Sequence, residues 1–109
     1  MIRVSVRLDG EGCLSRLDAD GHALRQGKEF SPVCAAVTVL LRTAASLFEA
    51  EAELKSRISL PDEGRISMEI GEIPAALSGR FRGITDFLVF GLLQISRDAP
   101  EELEVRFLE

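Results

Sequence analysis

Residues 31–37 read Ser-Pro-Val-Cys-Ala-Ala-Val and predict the start of the first helix of this chain. Ser31 is a suitable N-cap, because its hydroxyl can accept a hydrogen bond from a backbone amide of the first turn. Pro32 suits the first helical position, where no amide donor is needed and its fixed φ favours the helix. Cys34 then falls in the first turn, where the helix dipole favours a thiolate over a thiol.

The apolar pattern around this helix predicts the order β-β-α-β-β-α-β, an α/β protein of the α+β type. The predicted elements are strands at 2–8, 13–19, 55–60, 65–70 and 103–107 and helices at about 33–54 and 76–97. The apolar residues of the first strand, Ile2, Val4, Val6 and Leu8, are predicted to share one face. The first helix is apolar nearly all round in its first half and acidic in its second, so we expect it to start buried and to emerge at its end. We expect one domain over residues 1–109, with the sheet packed against two helices.

The second predicted helix has apolar side chains on two faces. One stripe contains Leu77, Phe81, Ile84, Leu88, Leu92 and Ile95, and the residues outside it are Phe87, Val89, Phe90 and Leu93. A helix of this kind is either fully buried or meets a partner. With five short strands to cover it, we predict a two-fold homodimer, and a wide core face in a monomer is the alternative.

Composition and charge argue against several classes of protein. The formal net charge of −5 and the pI near 4.9 argue against a nucleic-acid-binding protein, which normally has a clustered basic face. Cys13 and Cys34 lack the spacing of a zinc site, and one histidine cannot complete one. The chain begins with a strand-like alternation instead of a signal peptide, and its longest apolar stretch, near 33–41, is too short to span a membrane. We expect a cytoplasmic protein with no metal, cofactor, membrane or direct nucleic-acid partner.

His22 is the one histidine of the chain and lies twelve residues before Cys34, in a predicted loop over residues 21–31. Histidine is the side chain best suited to take a proton from a thiol near neutral pH. The sulfur can then attack a carbonyl carbon, with the oxyanion met by backbone amides at the helix terminus. The residues alone leave a second interpretation open, in which Cys34 is an inert packed thiol and His22 is a surface residue.

The pattern Gly-His-Ala, a glycine-containing loop and then Cys-Ala-Ala-Val at a helix start resembles the ribosomal-processing cysteine proteases. By position, His22 matches the family histidine and Cys34 the family cysteine. The surrounding frame is matched by Gly21, Gly27, Ala35 and Ala36, with Thr38 where the family has serine. The resemblance follows the element order over most of the chain, and its specific motifs lie within 21–38.

The chain departs from the family pattern at Ser31, which stands where the family commonly has aspartate. Both residue types cap helices, so the capping role is retained. The negative charge that could orient His22 is not retained, and Glu29 is close enough in sequence to be considered as a substitute. Pro32 also replaces an apolar residue of the family.

The resemblance implies a cysteine endopeptidase that removes the N-terminal extension of a large-subunit ribosomal protein, number twenty-seven in the usual series. In this interpretation Cys34 is the nucleophile, His22 is the base and then the acid, and the backbone amides of Cys34 and Ala35 meet the oxyanion. The partner is the N-terminal peptide of that ribosomal protein, and the resemblance also implies a homodimer.

Two other functions remain open from the sequence. One is a non-catalytic dimeric module that binds a ribosomal protein or an assembly factor, which the change at Ser31 keeps open. The other is a thiol hydrolase that acts on a small acyl substrate and needs no extended peptide groove. The sequence defines neither the cleavage site nor a third catalytic residue, and it assigns Cys13 no role beyond packing.

Overall fold

A computed structural model describes residues 1–21, 31–60 and 64–109, and its element order is the predicted one. The elements are β1 (Ile2–Leu8), β2 (Leu14–Asp20), α1 (Pro32–Ala50), a one-turn 3-10 helix (Ala52–Leu54), β3 (Arg57–Ser59), β4 (Arg65–Glu69), α2 (Ala75–Asp98) and β5 (Leu103–Leu108). The strand and helix bounds lie within two residues of the sequence prediction, except at the end of α1. Residues 61–63, between β3 and β4, lie outside the described residues.

The five strands form one mixed sheet in the order β3-β4-β2-β1-β5. Strand β1 pairs in parallel with β5, and the other neighbours are antiparallel. Alternate residues of β1, namely Ile2, Val4 and Val6, are buried in one core with apolar residues of both helices. Leu8 does not follow them, because the register shifts between Arg7 and Leu8 and leaves Leu8 exposed. The fold therefore has two layers, with both helices on one face of the sheet.

Two contacts tie the elements of this core together. The rings of Phe48 on α1 and Phe81 on α2 lie with their centroids 5.0 Å apart. Thr85 is the one buried polar residue among the residues that the structure describes. Its hydroxyl donates to the Phe81 carbonyl at 2.7 Å and accepts from the Leu14 amide at 2.9 Å. The second bond ties α2 to the start of β2, so the helix and the β1–β2 hairpin hold each other in register.

The predicted course of α1 is wrong at its second half. The helix ends at Ala50 instead of Leu54, and its buried residues Cys34, Val37, Leu41, Ala44 and Phe48 recur along its whole length. The reason lies in Leu54, which is fully buried although it lies six residues after Phe48. At 3.6 residues per turn a continuous helix would point these two side chains about 120° apart, so the break after Ala50 lets both reach the core.

Helix α1 is also long and apolar enough to cross a membrane by length and composition, contrary to the sequence prediction. The sequence estimate counted only the uninterrupted apolar stretch, whereas the 19-residue helix continues through Arg42. Within this fold one face of the helix is buried, because Val37, Leu41, Ala44 and Phe48 belong to the common core.

Candidate active site

The start of α1 has the predicted capping geometry. Ser31 is extended at φ −87° and ψ 155°, and its Oγ accepts the backbone N–H of Cys34 at 3.0 Å. Pro32 occupies the first helical turn, as the sequence predicts. Cys34 is 3% exposed, so its side chain is buried at the start of the helix. The cysteine of the motif is consequently held by a rigid, side-chain-capped helix terminus.

The backbone amides of this turn are largely engaged by one residue. The Cys34 amide donates to the Ser31 hydroxyl, and the Ala35 amide donates to the Ser31 carbonyl at 3.1 Å as the first backbone bond of the helix. Pro32 has no N–H, so Val33 supplies the first amide of α1. The two amides predicted to meet an oxyanion therefore both have Ser31 as acceptor in this structure. The Val33 amide, which follows the proline directly, was not among the predicted oxyanion donors.

The glycine of the Gly-His motif marks where β2 leaves the sheet. Gly21 has φ 153°, and its N–H donates to the Gly64 carbonyl at 3.1 Å. A Cβ at this position would lie 2.6 Å from the Met1 carbonyl oxygen and 2.7 Å from the Ile2 Cα. Glycine is therefore required here by close backbone approach as well as by conformation. His22 follows directly and, with Gly27 and Glu29, lies outside the described residues.

The start of α1 and the end of β2 lie at the same end of the molecule. Beyond the other end of α1, the Leu54 carbonyl accepts the Gly71 amide at 3.1 Å, and the Ile70 amide donates to the Ser15 carbonyl at 2.9 Å. These contacts place the end of α1 beside the start of β2 and the end of β4. Since 19 helical residues span about 28 Å, the start of α1 lies at the opposite end, where β2 ends.

The second cysteine lies at the other end of the sheet from this site. Cys13, in the β1–β2 turn, is fully buried, and its Sγ contacts the Ser78 carbonyl at 3.4 Å. Burial raises the pKa of the Cys13 thiol, and the nearby Asp9 carboxylate raises it further. Cys13 is consequently a protonated thiol that packs the hairpin against α2.

An open apolar groove of about 390 Å³ lies between α1 and α2 on the outer side of the helical layer. Val39 and Phe87 on its rim are 63% and 74% exposed, and Phe90 on the next turn of α2 is 64% exposed. Of the predicted second apolar face of α2, Phe87 and Phe90 are exposed in the single chain, whereas Val89 and Leu93 are half-buried and Val89 packs against the core. Phe81, Leu88 and Leu92 of the predicted core stripe are buried, with Thr85 in place of a fourth apolar side chain.

Three comparisons with known proteins bear on this arrangement. No curated protein sequence matches the chain. Among solved structures, the S. aureus ribosomal processing protease Prp with a covalently linked product peptide matches at a TM-score of 0.78 and 18% identity, over 99% of this chain and 100% of that one. The same protease with a substrate peptide matches at 0.76 and 18% identity over the same shares. SMU.848 from Streptococcus mutans matches at 0.74 and 20% identity, over 99% of this chain and 94% of that one.

These structural matches establish the fold. They do not transfer residue roles, because at this identity a shared architecture does not show which residues act. The sequence itself matches the family model described as cysteine protease Prp over residues 1–104, which is nearly the whole chain. The α+β fold and the resemblance seen in the motif around Cys34 are thereby confirmed. The chain belongs to the Prp family of cysteine proteases.

Proposed function

We propose that this protein is a cysteine endopeptidase that removes the N-terminal extension of large-subunit ribosomal protein number twenty-seven, with Cys34 as nucleophile and His22 as base. The observation that carries the proposal is the position of Cys34 in the capped first turn of α1, at the end of the sheet where the Gly-His motif begins. The S. aureus protease of the same fold has been seen with a substrate peptide and with a covalently linked product peptide, which supports a peptide substrate.

The proposed reaction transfers the Cys34 proton to His22 as sulfur attacks the scissile carbonyl carbon. The tetrahedral intermediate collapses when His22 returns the proton to the leaving amine, which leaves a thioester for water to hydrolyse. The Ala35 amide closes the first backbone bond of α1, so we assign the oxyanion to the amides of Val33 and Cys34. The Cys34 amide becomes available when the Ser31 hydroxyl rotates away from it.

A homodimer that closes the groove between α1 and α2 is part of the proposal. The exposed side chains of Val39 and Phe87 line this groove, whose walls are mainly apolar, and Phe90 is exposed on the next turn of α2. Contiguous apolar surface of this kind marks an interaction site on a globular protein. We assign the protein, as one domain of residues 1–109, to the cytoplasm, where ribosomal proteins are assembled and thiols stay reduced.

A second candidate function is a non-catalytic module that binds the same ribosomal peptide. It is favoured by the hydrogen bond between the Ser31 hydroxyl and the Cys34 amide, because this bond occupies a donor that an oxyanion needs. The two candidates share a peptide partner and differ in whether Cys34 reacts.

The test is cleavage of a peptide that spans the N-terminal extension of the ribosomal protein, read by mass spectrometry. We compare the wild type with Cys34→Ala, His22→Ala and the thiol control Cys13→Ala. We expect one specific cut that is lost in the first two variants and kept in the control. Full cleavage by Cys34→Ala ends the proposal, and an uncut peptide that binds the folded wild type supports the binding module.

A further inference from the structure

The open face of the sheet has a charge opposite to that of the whole chain. The outward residues of the five strands include six arginines, Arg3, Arg7, Arg16, Arg57, Arg65 and Arg106. The carboxylates on the same face are four, Asp18, Asp20, Glu69 and Glu104. The face is therefore positive, whereas the chain has a formal net charge of −5. The net charge alone hides this separation, because the strands place alternate residues on opposite faces.

The positive charge is densest in a cavity of about 330 Å³ at the end of the sheet away from Cys34. Its walls have four cations, Arg7, Arg16, Lys55 and Arg57, against the single carboxylate of Glu69. The Glu69 carboxylate forms ion pairs with Arg16 and, at 3.8 Å, with Arg57. The Arg57 side chain stays 87% exposed, whereas that of Arg16 is 38% exposed and also pairs with Asp18 at 2.8 Å, so Arg57 is the more accessible guanidinium of the two.

The backbone at Lys55 is held in an unusual conformation beside this cavity. Lys55 is the one non-glycine residue with positive φ among the described residues, at φ 48° and ψ 44°. Its amide donates to the Ala52 carbonyl at 3.3 Å, and the preceding Leu54 carbonyl accepts the Gly71 amide at 3.1 Å. Lys55 is thus fixed between two loops beside the basic cavity. Its left-handed backbone conformation costs conformational energy in any residue other than glycine.

A second, smaller basic cavity continues along the same face. It has a volume of about 90 Å³, and its lining has three arginines, Arg3, Arg65 and Arg106, against the two carboxylates of Asp18 and Asp20. Arg3 and Arg7 are four residues apart on β1, so the two cavities are about 13 Å apart along the strand. This extent fits a chain of anionic groups better than one isolated anion.

We propose that the open sheet face binds the phosphate backbone of RNA. Guanidinium groups match phosphate oxygens in a bidentate manner, and all six strand cations are arginine. The outward side chains are arginine, serine, acidic residues and Leu108, so they present no ring for a base to stack on, and the binding is independent of RNA sequence. The choice of RNA over another polyanion rests on the proposed function, because a ribosomal particle presents RNA to an enzyme that processes its proteins.

The test measures fluorescence anisotropy of a labelled twelve-nucleotide uridylate RNA at 50 and 200 mM salt. Three or four phosphate contacts predict a loss of affinity of roughly 20–50-fold between these salt concentrations. The double variant Arg7→Glu, Arg57→Glu should weaken RNA binding at least about tenfold at 50 mM salt. The control is the double variant Arg42→Glu, Arg82→Glu, which makes the same charge change at exposed positions of the helical layer and should weaken binding by less than about threefold.

Three results would overturn the proposal. One is an equal loss of RNA affinity in the two double variants. Another is displacement of the RNA by polyglutamate of equal charge at lower concentration, which would identify an acidic protein as the partner. The third is saturation by inorganic phosphate at millimolar concentration, which would indicate a site for a single small anion. Cys34→Ala should bind RNA as the wild type does, and Arg7→Glu, Arg57→Glu should cleave the free peptide at the wild-type rate, so failure of this inference and of the protease proposal are distinguishable.

Discussion

Replacement of Gly21 by alanine tests whether the end of β2 positions His22, the proposed catalytic base. The new Cβ would lie 2.6 Å from the Met1 carbonyl oxygen, whereas ordinary contacts begin at 3.4 Å, so the backbone must move by about 0.8 Å. The residue must also adopt φ 153°, which L side chains rarely do. A strained backbone of this kind costs about 1–3 kcal/mol, and we expect the melting temperature to fall by roughly 4–8 °C for each kcal/mol.

The effect on catalysis should exceed the effect on stability. His22 is the next residue, and a displacement near 1 Å of a catalytic group can reduce the rate about 100-fold. We therefore expect kcat/KM for peptide cleavage to fall by about that factor at 15 °C, where the variant is still folded by circular dichroism.

The matched control is Gly10→Ala. A Cβ at Gly10 has no heavy atom within 4 Å and the position has no positive φ, so both stability and kcat/KM should stay near wild type. The reasoning is refuted if folded Gly21→Ala cleaves the peptide within twofold of the wild-type kcat/KM. An equal loss of activity in Gly10→Ala would also contradict it.

Three further predictions concern the core, the sheet face and the groove. Thr85→Val should lower the free energy of unfolding by about 1–3 kcal/mol, measured by urea denaturation, because the Leu14 amide loses its buried acceptor; Thr85→Ser should retain most of that stability. Burial disfavours ionisation of Asp18, but hydrogen bonds from Arg16 and Ser67 outweigh it and lower the pKa of Asp18. The ionised Asp18 therefore stabilises the folded protein at pH values above its ordinary pKa of 3.8, and this stabilisation is lost as the pH falls below that value. The urea midpoint of wild type should therefore fall more from pH 7 to pH 3 than that of Asp18→Asn; equal falls would contradict this. Phe87→Glu should convert the proposed dimer into a monomer by sedimentation velocity, and an unchanged sedimentation coefficient would remove the groove as its interface.

The features of this protein that depend only on residues close together in sequence could be derived from the sequence. Ser31 and Pro32 specify the start of α1 because capping needs only groups within one turn, and the structure shows that geometry. Alternation of apolar residues likewise gave the seven elements in their correct order. The Gly-His and Cys-Ala-Ala motif was sufficient to indicate the family to which the chain belongs.

What depends on distant contacts was decided only by the tertiary structure. The end of α1 follows from the need to bury both Phe48 and Leu54, and no local signal marks it. The requirement for glycine at position 21 comes from Met1, twenty residues away in sequence and in contact across the sheet. The arginine face arises because strand pairing brings together cations that are scattered along an acidic chain. Local hydrogen bonds and periodicity thus determine the elements, whereas packing between elements determines where they end and which charges meet.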